Sequence, residues 1–180
     1  EFAELAQTEN PQGLLFLLER PAESELFLPR PFCLILDQLR EPGNLGTILR
    51  SCWAAGLKSL WLTKGCTDVY AAKVIRAGMG AQFALDIQIL PSIQEAIAKF
   101  KELNGGDIWT TMPEAECSIF SDDFTMENSA IIIGNEASGV SLPELGKAVT
   151  IPMPGKADSL NAAQATSIIV FEAVRRKLLN

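Results

Sequence analysis

The chain contains no histidine. Imidazole is therefore missing as a general base, as a metal ligand and as the middle member of a nucleophile relay. That excludes Ser-His-Asp and Cys-His hydrolases together with HExxH metal sites. Cysteine is scarce as well: Cys33, Cys52, Cys66 and Cys117 stand far apart, with no CxxC pair among them. Neither structural zinc, or any other metal, nor a redox dithiol is expected. Three of the four lie in apolar surroundings, where reduced thiols belong, so a cytoplasmic setting is expected. Long hydrophobic runs are wanting too. Apolar stretches end within about ten residues at a charge, Pro or Gly, far short of the ~20 that span a bilayer, so no membrane partner is expected. A basic-then-apolar leader is not expected from the opening residues. Positive charge is in deficit, with fifteen Lys and Arg against twenty-two Asp and Glu, a net charge of −7. A nucleic-acid partner would have to be held by a local patch rather than by the overall field.

What the chain does have is the composition of one globular domain: 180 residues, 48% apolar and 21% charged. Residues 32–37 (F-C-L-I-L-D), 59–63, 85–90, 107–112, 130–133 (A-I-I-I) and 148–151 read as short strands. Several are almost wholly apolar, as in a parallel sheet covered on both faces. Helical periodicity falls between them. Residues 44–55 place Leu45, Ile48, Leu49, Cys52 and Trp53 on one stripe, with Asn44 as the expected N-cap and Gly56 as the stop. Residues 70–79 and 92–103 follow the same pattern, and 159–178 form a final helix with Ser159 as its expected cap. This alternation predicts an α/β fold: an open, mostly parallel sheet with helices on both faces. Residues 1–30, punctuated by proline, leave room for one short strand at Leu14–Leu18 and read as an arm or linker ahead of a domain at 31–180. The final helix is apolar nearly all round from Ala162 to Val174, so it needs cover on two sides, from its own domain or from a second subunit.

Ligands of open α/β sheets bind beyond the carboxyl ends of the strands, and three loops there are rich in polar residues. The first, Asp37–Arg50, turns at Pro42-Gly43 and opens a helix at Asn44. Arg50 lies about 130° from the apolar stripe of that helix, so it points off the core, free to meet an anion or to remain a solvated surface arginine. The second, Gly134–Ser141 (G-N-E-A-S-G-V-S), has the glycine spacing of a phosphate loop, but Val140 stands where the lysine belongs and Glu136 would repel a triphosphate. A small molecule contacted by backbone fits better, with a plain strand-to-turn connection as the other reading. The third, Ile151–Asn161, is stiffened by Pro152, Pro154 and Gly155 and ends in Asp158, Ser159 and Asn161 at the mouth of the last helix. Restricted φ angles reduce the entropy lost on gripping a ligand.

In order and wording these segments resemble the SpoU/TrmH class of SPOUT RNA 2′-O-ribose methyltransferases. N-L-G-T-I-L-R (Asn44 to Arg50) is similar to the first family motif, I-I-I-G-N-E-A-S-G-V-S (Ile131 to Ser141) to the second, and I-P-M-P-G-K-A-D-S-L-N-A-A-Q-A (Ile151 to Ala165) to the third. The resemblance spans residues 31–177 and departs mildly at Asp158, where the family usually has glutamate, and at Gln164. It implies a trefoil knot near the C-terminus, S-adenosylmethionine held in that knot, and a homodimer with the active site across its interface. The cofactor would be contacted around Thr111, Gly134, Ile151, Met153, Ser159 and Leu160. By motif position Arg50 activates the ribose hydroxyl, Asn44 and Glu136 are its neighbours, and Ser159 and Asn161 shape the pocket. Because a guanidinium is a reluctant base, Glu136 is the alternative proton acceptor, with Arg50 holding a phosphate. Residues 11–21 are similar to a linker that follows a small RNA-binding domain in many members, which implies that such a domain is absent here. RNA affinity would then come from that domain or from a basic strip of Arg30, Arg40, Arg50, Lys64, Lys73 and Arg76. The implied substrate is ribosomal RNA ahead of transfer RNA, with a catalytically inactive RNA- or cofactor-binding homologue as the alternative. Set aside the resemblance, and a flavodoxin-like nucleotide or flavin binder also matches the α/β pattern.

Overall fold

The computed structural model of the protein describes residues 13, 14, 16, 17, 19–21 and 25–179. Strands β1 (Cys33–Leu36), β2 (Ser59–Thr63), β3 (Asp86–Leu90), β4 (Ile108–Thr111), β5 (Cys117–Ser118), β6 (Ala130–Ile133) and β7 (Lys147–Thr150) form one sheet in the order β3-β2-β1-β6-β4-β7-β5. Every pairing is parallel, so the expected mostly parallel sheet is wholly so among the described residues. Helices α1 (Pro42–Ala54), α2 (Ala72–Gly78), α3 (Ile93–Glu102) and α4 (Ala162–Arg175) connect and cover it. The two-residue β5 has no counterpart in the sequence reading, being too short to show a period. Of the expected strand at Leu14–Leu18, Leu15 and Leu18 lie outside the described residues, and Leu14, Phe16 and Leu17 are not in a strand.

Alternation along the apolar strands feeds two cores. Leu34, Leu36, Ile131, Ile133 and Trp109 pack with Leu45, Ile48 and Leu49 of α1, Val74 of α2 and Ile169, Val170 and Ala173 of α4. Cys33, Ile35, Ala130, Ile132 and Ile108 pack on the other side with Ile93, Ala96 and Phe100 of α3. Strands buried on both faces cannot alternate with polar residues, which is why A-I-I-I and C-L-I-L are unbroken. All four cysteines are free thiols, and burial pushes that of Cys52 up to about 12. No helix among the described residues is long and apolar enough to cross a membrane.

Two helix starts differ from expectation. Helix α1 begins two residues before Asn44: Glu41 is the cap, its carboxylate accepting the Gly43 N–H at 3.1 Å, and Pro42 needs no acceptor in the first turn. Helix α4 begins after Ser159, because the Asn161 side chain accepts the N–H groups of Ala163 (2.9 Å) and Gln164 (3.4 Å). At the other end of α4, Glu172 is buried and receives both Arg175 and Arg176. Arg176 also donates to the carbonyls of Ile119, Ser121 and Phe124, fastening the helix to the segment after β5. Arg175, with Arg176 behind it, pulls the Glu172 carboxyl down to about 2 against the opposing effect of burial. An unfolded glutamate titrates near ~4.3, so this group stabilises the fold above that pH, and the contribution is lost as pH falls toward about 2. Between about pH 5 and 2 the melting temperature of the wild type is expected to drop more steeply than that of Glu172→Gln. Parallel curves by circular dichroism would show that the clamp contributes nothing.

Candidate active site

The carboxyl ends of the central strands gather the three polar loops. After β6 the chain makes a tight turn in which Asn135 and Gly139 exchange two backbone hydrogen bonds, each 2.9 Å. Gly139 adopts φ +71°, and a Cβ on Gly134 would come within 2.1 Å of the Gly139 carbonyl carbon and the Val140 nitrogen. Gly134 is thus explained by close backbone contact and Gly139 by its left-handed φ, with no phosphate cradle required. The turn projects Glu136 over the start of α1.

There Glu136 meets the other two loops. Asn44 Nδ2 donates to Glu136 Oε1 at 2.9 Å, and Asn161 Nδ2 donates to Asn44 Oδ1 at 2.9 Å, joining residues 92 and 117 positions apart. The direction of this chain is fixed by its anchor. Asn161 Oδ1 is taken by the first N–H groups of α4, so its amide nitrogen must donate; Asn44 must then accept with oxygen and donate with nitrogen. Neither cap expectation at Asn44 or Ser159 anticipated this: with Glu41 and Asn161 capping, the Asn44 side chain is released to link the loops. The Glu41 N–H also approaches Glu136 Oε1 at 3.4 Å, while Oε2 has no hydrogen-bond partner among the described residues. The Lys73 ammonium, 2.8 Å from Glu41, and the Gly43 N–H hold the Glu41 carboxyl below its ordinary range.

Beside this chain lies a cavity of about 390 Å³. Thr111, Gly134, Ile151, Met153, Ser159 and Leu160 all line it, and Glu136 reaches its rim. The N–H groups of Met153 and Leu160 make no hydrogen bond among the described residues. Asn44, Asn161 and Arg50 do not line it. Asn44 and Asn161 connect to it through Glu136, whereas Arg50 stands exposed on α1 with no ion pair among the described residues. Arg30 is not part of the same surface. It donates to Asn128 Oδ1 (2.9 Å) beside the start of β6, at the opposite end of the strands, which removes it from the expected basic strip.

A profile of the SpoU rRNA Methylase family matches residues 31–171. The chain belongs to that family. It is 32% identical over 224 residues to the human mitochondrial rRNA methyltransferase 3, covering 92% of this chain and 53% of that protein. To the Bacillus subtilis 23S rRNA (guanosine(2553)-2′-O)-methyltransferase RlmP it is 32% identical over 176 residues, covering 94% of this chain and 68% of RlmP. Among solved structures, the SpoU methyltransferase AviRb of Streptomyces viridochromogenes, in complex with AdoMet, superposes with a TM-score of 0.76 at 32% identity, covering 88% of this chain and 66% of AviRb.

Several residues of this SpoU domain's site escaped the sequence reading. Met112, Pro113 and Ile119 line the cavity from the segment after β4, which carries no motif. Glu41 signals itself only in hindsight, as an acidic residue just before Pro42. Behind the cavity, and not lining it, Asp37 and Thr63, both 1% exposed, sit at strand ends; a polar residue closing an apolar strand was the available signal.

Proposed function

We propose that this SpoU protein is a cytoplasmic, S-adenosylmethionine-dependent RNA 2′-O-ribose methyltransferase acting on ribosomal RNA. The reading is carried by the Asn161–Asn44–Glu136 chain, which ends, at the rim of a mostly apolar cavity, in a carboxylate oxygen with no hydrogen-bond partner among the described residues. The cavity suits the cofactor by size and by chemistry: ligand pockets start near ~300 Å³, and backbone N–H groups that are unpaired among the described residues, beside apolar walls, match an adenosyl group. Thr111, Gly134, Ile151, Met153, Ser159 and Leu160 would hold it. When bound, S-adenosylmethionine supplies an electrophilic sulfonium methyl. The protein's own residues then position the ribose and remove a proton. Arg50 grips a substrate phosphate, Glu136 Oε2 accepts the 2′-hydroxyl proton, and Asn44 and Asn161 keep that carboxylate aimed by occupying Oε1.

The same reading includes a trefoil knot and a homodimer. Supporting the knot, β6 inserts between β1 and β4, and β7 between β4 and β5, so late strands lie between earlier ones. Supporting the dimer, α1 and α4, joined by Ser51 and Ser167 at 2.8 Å, leave Trp53, Phe171 and Val174 exposed. The relatives named above are rRNA methyltransferases, which favours ribosomal over transfer RNA. The test is transfer of a labelled methyl group from S-adenosylmethionine to ribosomal RNA, with nucleoside mass spectrometry. Label in a 2′-O-methyl nucleoside is expected; label on a base, or none on any RNA, would overturn the proposal.

A further inference from the structure

Asp37 is buried, 1% exposed, yet it does not line the cavity and touches no cation among the described residues. Its two oxygens hold different parts of the chain. Oδ1 accepts from the Thr63 hydroxyl at 2.9 Å, and Oδ2 accepts the Ser141 N–H at 2.8 Å. The Gln38 N–H donates to Thr63 Oγ1 at 3.0 Å, which leaves the hydroxyl proton for Asp37. Next to it, the Gln38 carbonyl accepts Asn135 Nδ2 at 2.8 Å. The end of β1 therefore grips the Gly134–Ser141 segment at two posts, one on either side of Glu136. Between the posts, Glu136, Ala137, Ser138 and Gly139 are exposed, and this stretch forms one wall of the cavity.

We propose that Asp37 is a positioning residue for methyl-donor binding: it sets the cavity wall from behind, through the Ser141 N–H. The inference rests on the S-adenosylmethionine reading above. Two donors, Thr63 O–H and Ser141 N–H, converge on this point, and both are met only by a group with two acceptor atoms. Alanine leaves the buried Thr63 hydroxyl and the part-buried Ser141 N–H unpaired and frees the far end of the loop. Asparagine can turn its oxygen to Ser141 and its amide nitrogen to Thr63 Oγ1, which retains the post. Valine at position 63 removes the other bond and leaves the Ser141 post standing.

The experiment is calorimetric titration of S-adenosylmethionine into wild type, Asp37→Ala, Asp37→Asn and Thr63→Val, each with a melting curve. Asp37→Ala is expected to weaken cofactor binding by about tenfold or more, while Asp37→Asn and Thr63→Val stay within about threefold of wild type. Thr63→Val is nevertheless expected to melt at a lower temperature, since it orphans the Gln38 N–H. A structural role alone would lower the melting temperature of Asp37→Ala and Thr63→Val and leave the affinity of the folded protein unchanged in both, and that result overturns the proposal. A wild type that binds no S-adenosylmethionine sinks the methyl-donor reading instead. Should Asp37→Ala fail to fold, hydrogen exchange on the wild type decides. The Ser141 amide is expected to be protected like β6 although its side chain is exposed; exchange as fast as at Glu136, whose N–H has no partner among the described residues, overturns the proposal.

Discussion

Arg50→Ala is expected to lower the turnover of RNA methylation by about a thousandfold or more, while S-adenosylmethionine binds within about threefold of wild type. The separation follows from placement. Arg50 does not line the cavity and, among the described residues, makes no hydrogen bond or ion pair that folding would lose, so its removal leaves the cofactor site and the α1 core intact. What disappears is a fixed cation able to grip a phosphate in a bidentate way, and with it the alignment of the ribose. Retention of even about a tenth of the wild-type rate would rule out an essential role. Glu136→Gln separates the two proton-acceptor assignments. If Glu136 takes the proton, the amide variant loses the acidic limb of the pH–rate profile along with its rate; if Arg50 does, that limb survives.

Phe171→Asp is expected to convert a dimer into a folded, inactive monomer. Trp53, Phe171 and Val174 remain 50%, 49% and 37% exposed on a helix pair whose inner faces are fully packed. Covering one large apolar side chain contributes about 1.5–3 kcal/mol, and a carboxylate placed there must instead be desolvated. Sedimentation should show the wild type at twice the chain mass and the variant at once, with unchanged circular dichroism. An active monomeric variant would remove the second subunit from the catalytic site.

The sheet was legible because strands buried on both faces leave unbroken apolar runs, and A-I-I-I and C-L-I-L allow little else. Its order was not: nothing in the residues says that β6 lies between β1 and β4, since every central strand has the same composition. The caps were misplaced for a related reason. Asn44 and Ser159 are good capping residues by type, but Glu41 and Asn161 cap instead, and the partner that Asn44 takes, Glu136, lies 92 residues away along the chain. The cavity wall was readable where motifs run, at Gly134, Ile151, Met153, Ser159 and Leu160. It was unreadable at Met112, Pro113 and Ile119, which enter through tertiary packing alone. Asp37 was visible as a residue, but its partner Ser141 was found only in three dimensions.

Crystallisation with S-adenosylmethionine tests most directly whether three distant segments build one methyl-donor site. Density for the cofactor is expected between Gly134–Ser141 and Ile151–Leu160, beside Glu136 and in contact with Thr111. Cofactor bound instead in the second large cavity, which the β3 edge lines with Tyr70 and Phe83, or bound nowhere on a well-folded chain, would contradict it.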